Sequence, residues 1–188
     1  MEHVVRTVRA DEWPQVRELR LSALRDPVAS VAFLETYEQS VSRPDAFWQE
    51  RALNASEAGS GDVRQFVAVA PDGRWEGSVT VLIERPDADP AFGEEVEVHQ
   101  AHVVGVFVRP QARGAGLADE LFRAATDWAW SLTGPRIERV RLYVHEDNPR
   151  AAAFYRRIGF VPTGRTVPMP GDPSAREIEH AVERADGL

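Results

Sequence analysis

Along the chain, apolar positions repeat either every second residue or at helical spacing, and each change of period marks an element. Residues 4–8 read as a short strand, and Asp11 caps a helix that runs towards Arg25 until Asp26-Pro27 breaks it. Residues 28–42 are mixed in pattern and contain Phe33, Glu35, Tyr37 and Glu38. Pro44 opens a second helix through Trp48 and Leu53, and Glu57-Ala58-Gly59-Ser60-Gly61-Asp62 is a flexible loop. Residues 65–70 and 75–84 pair as a hairpin about Pro71-Asp72-Gly73. A polar loop at 85–95 leads into a strand at 97–108. Leu117, Leu121, Ala125 and Trp128 then return to helical spacing, with Asp119, Glu120, Arg123 and Asp127 between them. Val140, Leu142 and Val144 alternate with Arg139, Arg141 and Tyr143 as the next strand. Ala151, Phe154, Tyr155 and Ile158 line one face of a further helix, which Asn148 can cap and Gly159 stops. Phe160 starts another strand, 163–174 is a Pro/Gly-rich excursion, and 176–184 is the last strand. The order is β-α-α-β-β-β-α-β-α-β-β, with no internal repeat and no long linker, which predicts one domain over 1–188.

The junction between the strand at 97–108 and the helix after it carries the chemistry. Arg113-Gly114-Ala115-Gly116-Leu117-Ala118 turns directly into that helix, so several backbone N–H groups without partners and the positive end of the helix dipole converge on one spot. Gly114 and Gly116 lack a Cβ and let a ligand approach, which makes the turn a phosphate site. A P-loop would need a Lys after its glycines, and the chain contains no Lys. A dinucleotide fingerprint would need Gly or Ala where Asp119 stands, and would be expected in the first βα turn of its domain. A pyrophosphate ligand remains, beside the plainer reading of a glycine-softened turn that binds nothing.

The pattern Arg113-x-x-Gly116-x-Ala118, with Gln111-x-x-Gly114-x-Gly116 overlapping it, resembles the acetyl-CoA signature of the GCN5-related N-acetyltransferase (GNAT) superfamily. Asn148-Pro149-Arg150-Ala151-Ala152-Ala153-Phe154-Tyr155-Arg156-Arg157-Ile158-Gly159-Phe160 is similar to the same superfamily's Asn-x-x-Ala-x-x-Phe-Tyr-x-x-x-Gly-Phe. The element order agrees over nearly the whole chain. The resemblance implies an α/β (α+β) fold with a mixed central sheet of about seven strands and about four helices. The strands on either side of the glycine turn should then pair in parallel, joined by a right-handed crossover.

Bulk properties narrow the field. Hydrophobic residues make up 43% and charged ones 28% of 188 residues, ordinary usage for a compact enzyme. A net charge of −8 argues against nucleic-acid or anionic-membrane partners. No apolar run reaches membrane-spanning length, and Met1-Glu2-His3-Val4-Val5-Arg6 does not read as a signal peptide. Zero Cys excludes disulfides and a Cys nucleophile and fits a reducing compartment, so the cytoplasm is expected. The histidines are scattered and indicate no metal. A homodimer stays open.

The resemblance implies acetyl transfer to a primary amine by direct attack in a ternary complex, with acetyl-CoA as co-substrate. It places the pantetheine along the backbone of Val106, Phe107 and Val108, where an N–H would stabilise the developing oxyanion. The pyrophosphate falls on Arg113, Gly114, Ala115, Gly116, Leu117 and Ala118. Asn148 joins the cofactor site, and Tyr155 points its hydroxyl at the thioester sulfur. The superfamily's base lies upstream on the thioester-binding strand, where Gln100 and His102 stand in phase with Val104 and Val106. Gln100 cannot serve, which leaves His102 or a water relay. Acceptor walls would come from Phe33, Glu35 and Tyr37, from the loop with Asp87, Asp89, Glu94 and Glu95, and from 163–174. The acids suggest a cationic amine, beside the plainer reading of a solvated acidic surface. A non-catalytic acyl-CoA-binding or regulatory domain is the alternative to an enzyme.

Overall fold

The computed structural model describes residues 3–185. In chain order the elements are β1 (Val4–Thr7), α1 (Trp13–Leu24), α2 (Ala29–Ala32), α3 (Tyr37–Val41), α4 (Asp45–Ala55), β2 (Val63–Val69), β3 (Trp75–Glu84), β4 (Gln100–Val108), α5 (Leu117–Ser131), β5 (Arg139–His145), α6 (Pro149–Arg157), β6 (Val161–Met169) and β7 (Asp172–Glu183). The strands form one seven-stranded sheet in the order β1-β2-β3-β4-β5-β7-β6. All its ladders are antiparallel except β4–β5, which pairs in parallel across the α5 crossover, as the sequence predicts. Among the described residues no helix is long and apolar enough to cross a membrane.

Several boundaries differ from the expected ones, each for a local reason. Residues 28–42 fold into two short helices, so six α-helices flank the sheet where four were expected. Asp26 Oδ1 accepts the Val28 N–H at 3.1 Å ahead of α2, and α3 starts with a capping box between Thr36 and Gln39. Asp11 does not cap α1. Glu12 occupies that position, and its carboxylate accepts the Arg9 N–H at 2.8 Å and the Arg6 guanidinium. β4 begins at Gln100 rather than 97. The excursion at 163–174 is largely a β6–β7 hairpin that turns at Gly171, with φ +84°. Pro162 and Pro168 sit comfortably in β6 because it is the sheet's edge strand.

Apolar residues cover both faces. One core packs α5 against Val79, Val81, Ala101, Val103, Val140 and Leu142, with Phe154 and Tyr155 of α6 at its border. The other packs α1 and α4 on Val67, Trp75 and Phe107. This second face also carries a buried polar network around Arg141, which is 1% exposed. Its guanidinium donates to Glu84 Oε2 of β3 at 2.8 Å, to Glu179 Oε2 of β7 at 3.1 Å, and to the Glu94 carbonyl at 3.0 Å. Tyr143 closes the network by donating to Glu179 at 3.0 Å and accepting the Glu94 N–H at 2.9 Å.

Burial would raise the Glu179 carboxyl, but Arg139, Thr163 and Arg141 outweigh it and hold the group at about 2. Its ordinary value is 4.5, so the stabilisation is complete above pH 4.5 and is lost as pH falls towards 2. Replacing Arg141 by Leu removes the cation shared by two buried carboxylates and should cost about 3–5 kcal/mol in urea unfolding at pH 7. The penalty should shrink as pH falls below 4.5, where both carboxylates can take protons. An equal penalty at pH 7 and pH 4 would count against this account.

Candidate active site

β4 is a central strand that loses one neighbour halfway. Its parallel ladder with β5 runs only through Gln100↔Arg139, Ala101↔Val140 and His102↔Arg141. Beyond His102, β4 continues to Val108 with that edge unpaired among the described residues, and Val104 to Val106 are partly exposed within an otherwise buried strand. A wedge therefore opens between β4 and β5 and offers a row of backbone donors and acceptors to an extended ligand.

The other edge of β4 is irregular at the same level. Thr80 pairs with Val104 and Ser78 with Phe107, so β4 carries an extra residue at a bulge beside Gly105, whose φ is +62°. The bulge breaks the expected alternation. His102 and Val104 share a face, but Phe107 continues it into the α1/α4 core while Val106 packs on the α5 side. A glycine within an apolar strand was the signal for this kink.

At the open end of the wedge the chain makes a short 3-10 turn at Pro110–Ala112 and passes Gly114 and Gly116, with φ +83° and +80°, into α5. A Cβ built on either glycine would meet nothing within 4 Å, so both face open space. No side chain caps α5, which leaves the N–H groups of its first turn directed outward. The Arg113 side chain is not part of this cradle. It donates to the Val108 carbonyl at 2.9 Å and pairs with the buried carboxylate of Asp26. In this structure the side chain braces the turn against the end of α1. Arg109 does the same through Glu18 at 2.6 Å and the Trp75 carbonyl at 2.7 Å.

Asn148 caps α6, its Oδ1 accepting the Ala151 N–H at 3.2 Å, with its amide NH2 left over. Tyr155 lies on α6 among Phe122, Phe154 and Phe160, with ring centroids 5.6, 5.6 and 6.5 Å away. Its hydroxyl has no hydrogen-bond partner among the described residues. Burial, and to a lesser degree the Glu177 carboxylate, push its pKa well above the usual phenol value. The hydroxyl is therefore neutral at physiological pH and able to donate a hydrogen bond.

His102 is 1% exposed. Its Nδ1 lies 2.9 Å from Glu84 Oε1. Burial raises the Glu84 carboxyl, yet His102, Arg141 and Gln100 together bring it below the ordinary value. An ionised carboxylate only accepts, so Nδ1 donates to it and Nε2 is the ring nitrogen left for other partners. Gln100 Nε2 donates to the other Glu84 oxygen at 2.7 Å. Glu84 and Arg141 were not singled out from the sequence, because nothing along the chain shows that residues so far apart share one buried cluster.

Phe33 is buried under the Arg20 guanidinium, 4.5 Å from its ring centroid, and Glu35 is ion-paired to Arg20 at 2.6 Å. Tyr37 stacks under Arg25 and accepts its hydrogen bond. Asp87, Asp89, Glu94 and Glu95 are exposed. Among the described residues no group of His, Cys, Asp and Glu could hold a metal ion.

A sequence model described as "Acetyltransferase (GNAT) family" matches residues 13–160. The chain belongs to this family. It is 35% identical over 95 residues to a mycothiol acetyltransferase of Salinispora arenicola, a match covering 50% of this chain and 28% of that protein. The chain spans well under half the length of the curated relatives it matches, 28% and 39%. The ribosomal-protein-S5-alanine acetyltransferase of Vibrio fischeri superposes with a TM-score of 0.75 at 16% identity, covering 100% of this chain and 96% of that one. The PaiA N-acetyltransferase of Thermoplasma acidophilum, solved in complex with coenzyme A, gives 0.68 at 16% identity over 98% and 100%. At these identities the structures share the GNAT fold.

Proposed function

We propose that the chain is an acetyl-CoA-dependent N-acetyltransferase that acetylates a primary amine by direct attack in a ternary complex. The observation that carries this reading is the unpaired edge of β4 beyond His102, which ends at an uncapped, glycine-flanked helix start. An acyl-CoA has the matching parts: an extended pantetheine with amide groups, then a pyrophosphate. When bound, it supplies an activated acetyl group as a thioester. Val106, Phe107 and Val108 align it through their backbone, and one of their N–H groups stabilises charge developing on the carbonyl oxygen. The N–H groups from Gly114 through Ala118 receive the pyrophosphate. Asn148, with its free amide, borders the same wedge.

His102 and Tyr155 lie on opposite faces of the sheet, and the reaction proposed runs in the gap between β4 and β5. That division suits the reaction. His102 Nε2, oriented by Glu84, takes the proton that the ammonium must lose, directly or through a water. Tyr155 donates its hydroxyl hydrogen bond to the departing sulfur on the other side.

Three measurements test the parts separately. Gly116→Val puts a branched side chain into the open space and strains a φ of +80°, so calorimetry should show acetyl-CoA binding weakened at least about tenfold. Unchanged affinity in a folded variant would remove the turn from the cofactor site. His102→Ala should leave that affinity intact while kcat falls by about 10²–10⁴-fold and the acidic limb of the rate–pH profile changes. Wild-type rate and pH limb would reassign the proton to water alone. Tyr155→Phe keeps the ring and should lower kcat at least about tenfold, roughly 1.4 kcal/mol of barrier, with normal acetyl-CoA binding. Full activity with chemistry rate-limiting would make the tyrosine structural.

A further inference from the structure

Strand register carries the level of the wedge across to β7. His102↔Arg141 is the last pair between β4 and β5. Four residues further along, these parallel strands reach Val106 and His145, and His145 pairs with Glu177 of β7. Glu177 therefore stands level with the backbone proposed above to align the thioester, one strand spacing of about 4.8 Å beyond β5. Its side chain lies on the face of Tyr143 and Glu179, since it is in phase with Glu179 along β7. Its charge also reaches Tyr155, which places the carboxyl within electrostatic range of the hydroxyl proposed to face the sulfur.

Glu177 differs from the two carboxylates that share its face. Glu84 is engaged by Arg141, His102 and Gln100, and Glu179 by Arg139, Arg141, Tyr143 and Thr163. Glu177 is only 7% exposed, yet it makes neither a hydrogen bond nor an ion pair among the described residues. Its oxygens keep a small opening to solvent. Burial alone pushes its pKa up to about 7. The titratable groups around it are Glu179 on β7, Tyr143 and His145 on β5, and Tyr155 on α6. His145 turns its Nδ1 to the Asp147 N–H at 3.0 Å. The helix α2, which packs against β5, reads Ala29-Ser30-Val31-Ala32 and brings no charge. A buried carboxyl without a partner is costly to keep. This one stands at the level where the reaction brings a cation of its own, the ammonium of the acceptor.

We infer that Glu177 is the acceptor-binding carboxylate, holding the incoming amine as its ammonium opposite the thioester backbone and so selecting amines that are protonated at neutral pH. The inference rests on the acetyltransferase reading and deepens it. The cationic acceptor suggested by the acidic composition gains one specific carboxylate, on β7, distinct from Glu35 and from the acids of the 85–95 loop. Glu177 itself forms and breaks no covalent bond. The held ammonium gives up its proton towards His102, further into the wedge.

Calorimetry on the CoA-loaded protein compares phenethylamine with phenethyl alcohol, its neutral counterpart, and thiol release from acetyl-CoA is followed with phenethylamine, butylamine and a short peptide with a free N-terminus. The amine is charged throughout pH 6–8 and should bind at least about tenfold more tightly than the alcohol at pH 8. That advantage should shrink at pH 6, where the Glu177 carboxyl has taken a proton. Glu177→Gln should remove the advantage at both pH values and raise KM for each amine turned over, with acetyl-CoA affinity unchanged. It should also unfold at no lower a temperature, because it deletes an unpaired buried carboxyl rather than a structural ion pair. Equal binding of amine and alcohol by the wild type, or an advantage that ignores pH or survives in folded Glu177→Gln, overturns the subsite, and turnover in those cases leaves the acetyltransferase reading standing. A destabilised Glu177→Gln with the amine advantage intact in its folded fraction also overturns it, in favour of a structural carboxyl. If no amine is turned over while phenethylamine binds with this dependence on Glu177, the subsite stands and the enzymatic reading fails.

Discussion

The sheet is joined across its middle by a ladder of three residue pairs, because β4 and β5 part company after His102 and Arg141. Two half-sheets held so briefly would hinge or close, and either would destroy the wedge. Arg141 prevents this from the last paired position. Its guanidinium reaches over β4 to Glu84 on β3 and back to Glu179 on β7, and it pins the loop at Glu94. The cation has little exposure, Tyr143 and Gln100 donate to the same two carboxylate oxygens as Arg141, and His102, Arg139 and Thr163 engage the remaining ones. A fully satisfied network of this kind fixes geometry more firmly than apolar packing of equal volume, since each partial loss leaves a buried charge. The opening between the strands and the clamp beside it are two aspects of one arrangement.

The same cluster couples framework to chemistry. Glu84 bonds Arg141 with one oxygen and His102 Nδ1 with the other. The imidazole is thereby held in one tautomer by a residue whose own position depends on the clamp. Further along β4, the bulge at Gly105 rotates the strand, so that Val106 and Phe107 exchange faces and the backbone between them lies at the wedge. Arg109 and Arg113 hold the turn that follows by bracing it against Glu18 and Asp26. The turn at the start of α5 is thus referenced to α1.

Much of this was legible in one dimension because its cause is local. Strand and helix periods, the helix-stopping Gly159, the Asn148 cap and the glycine turn each depend on residues within a few positions of one another, and all appear where expected. The capping box at Thr36 and Gln39 was equally local. The edge hairpin of β6 and β7 was harder to read, since its prolines are tolerated only because one side of β6 has no partner strand. Arg113 marks the limit of motif reading. Its place in the pattern was recognisable, but the buried Asp26 that engages its side chain belongs to the end of another helix.

By itself the amino-acid sequence determined the α/β alternation, the parallel crossover, the open glycine turn at Gly114 and Gly116, and the presence of Tyr155 on the inner face of its helix. These follow from backbone conformational preferences and periodic burial, which act over a turn or a strand. Only the tertiary structure decided that β4 loses its partner after three pairs, that His102 is oriented by Glu84, and that Glu35 is paired with Arg20. Those outcomes are pairings between charged groups tens of residues apart. Composition registers how many such groups there are, and the fold alone selects which of them meet in low dielectric.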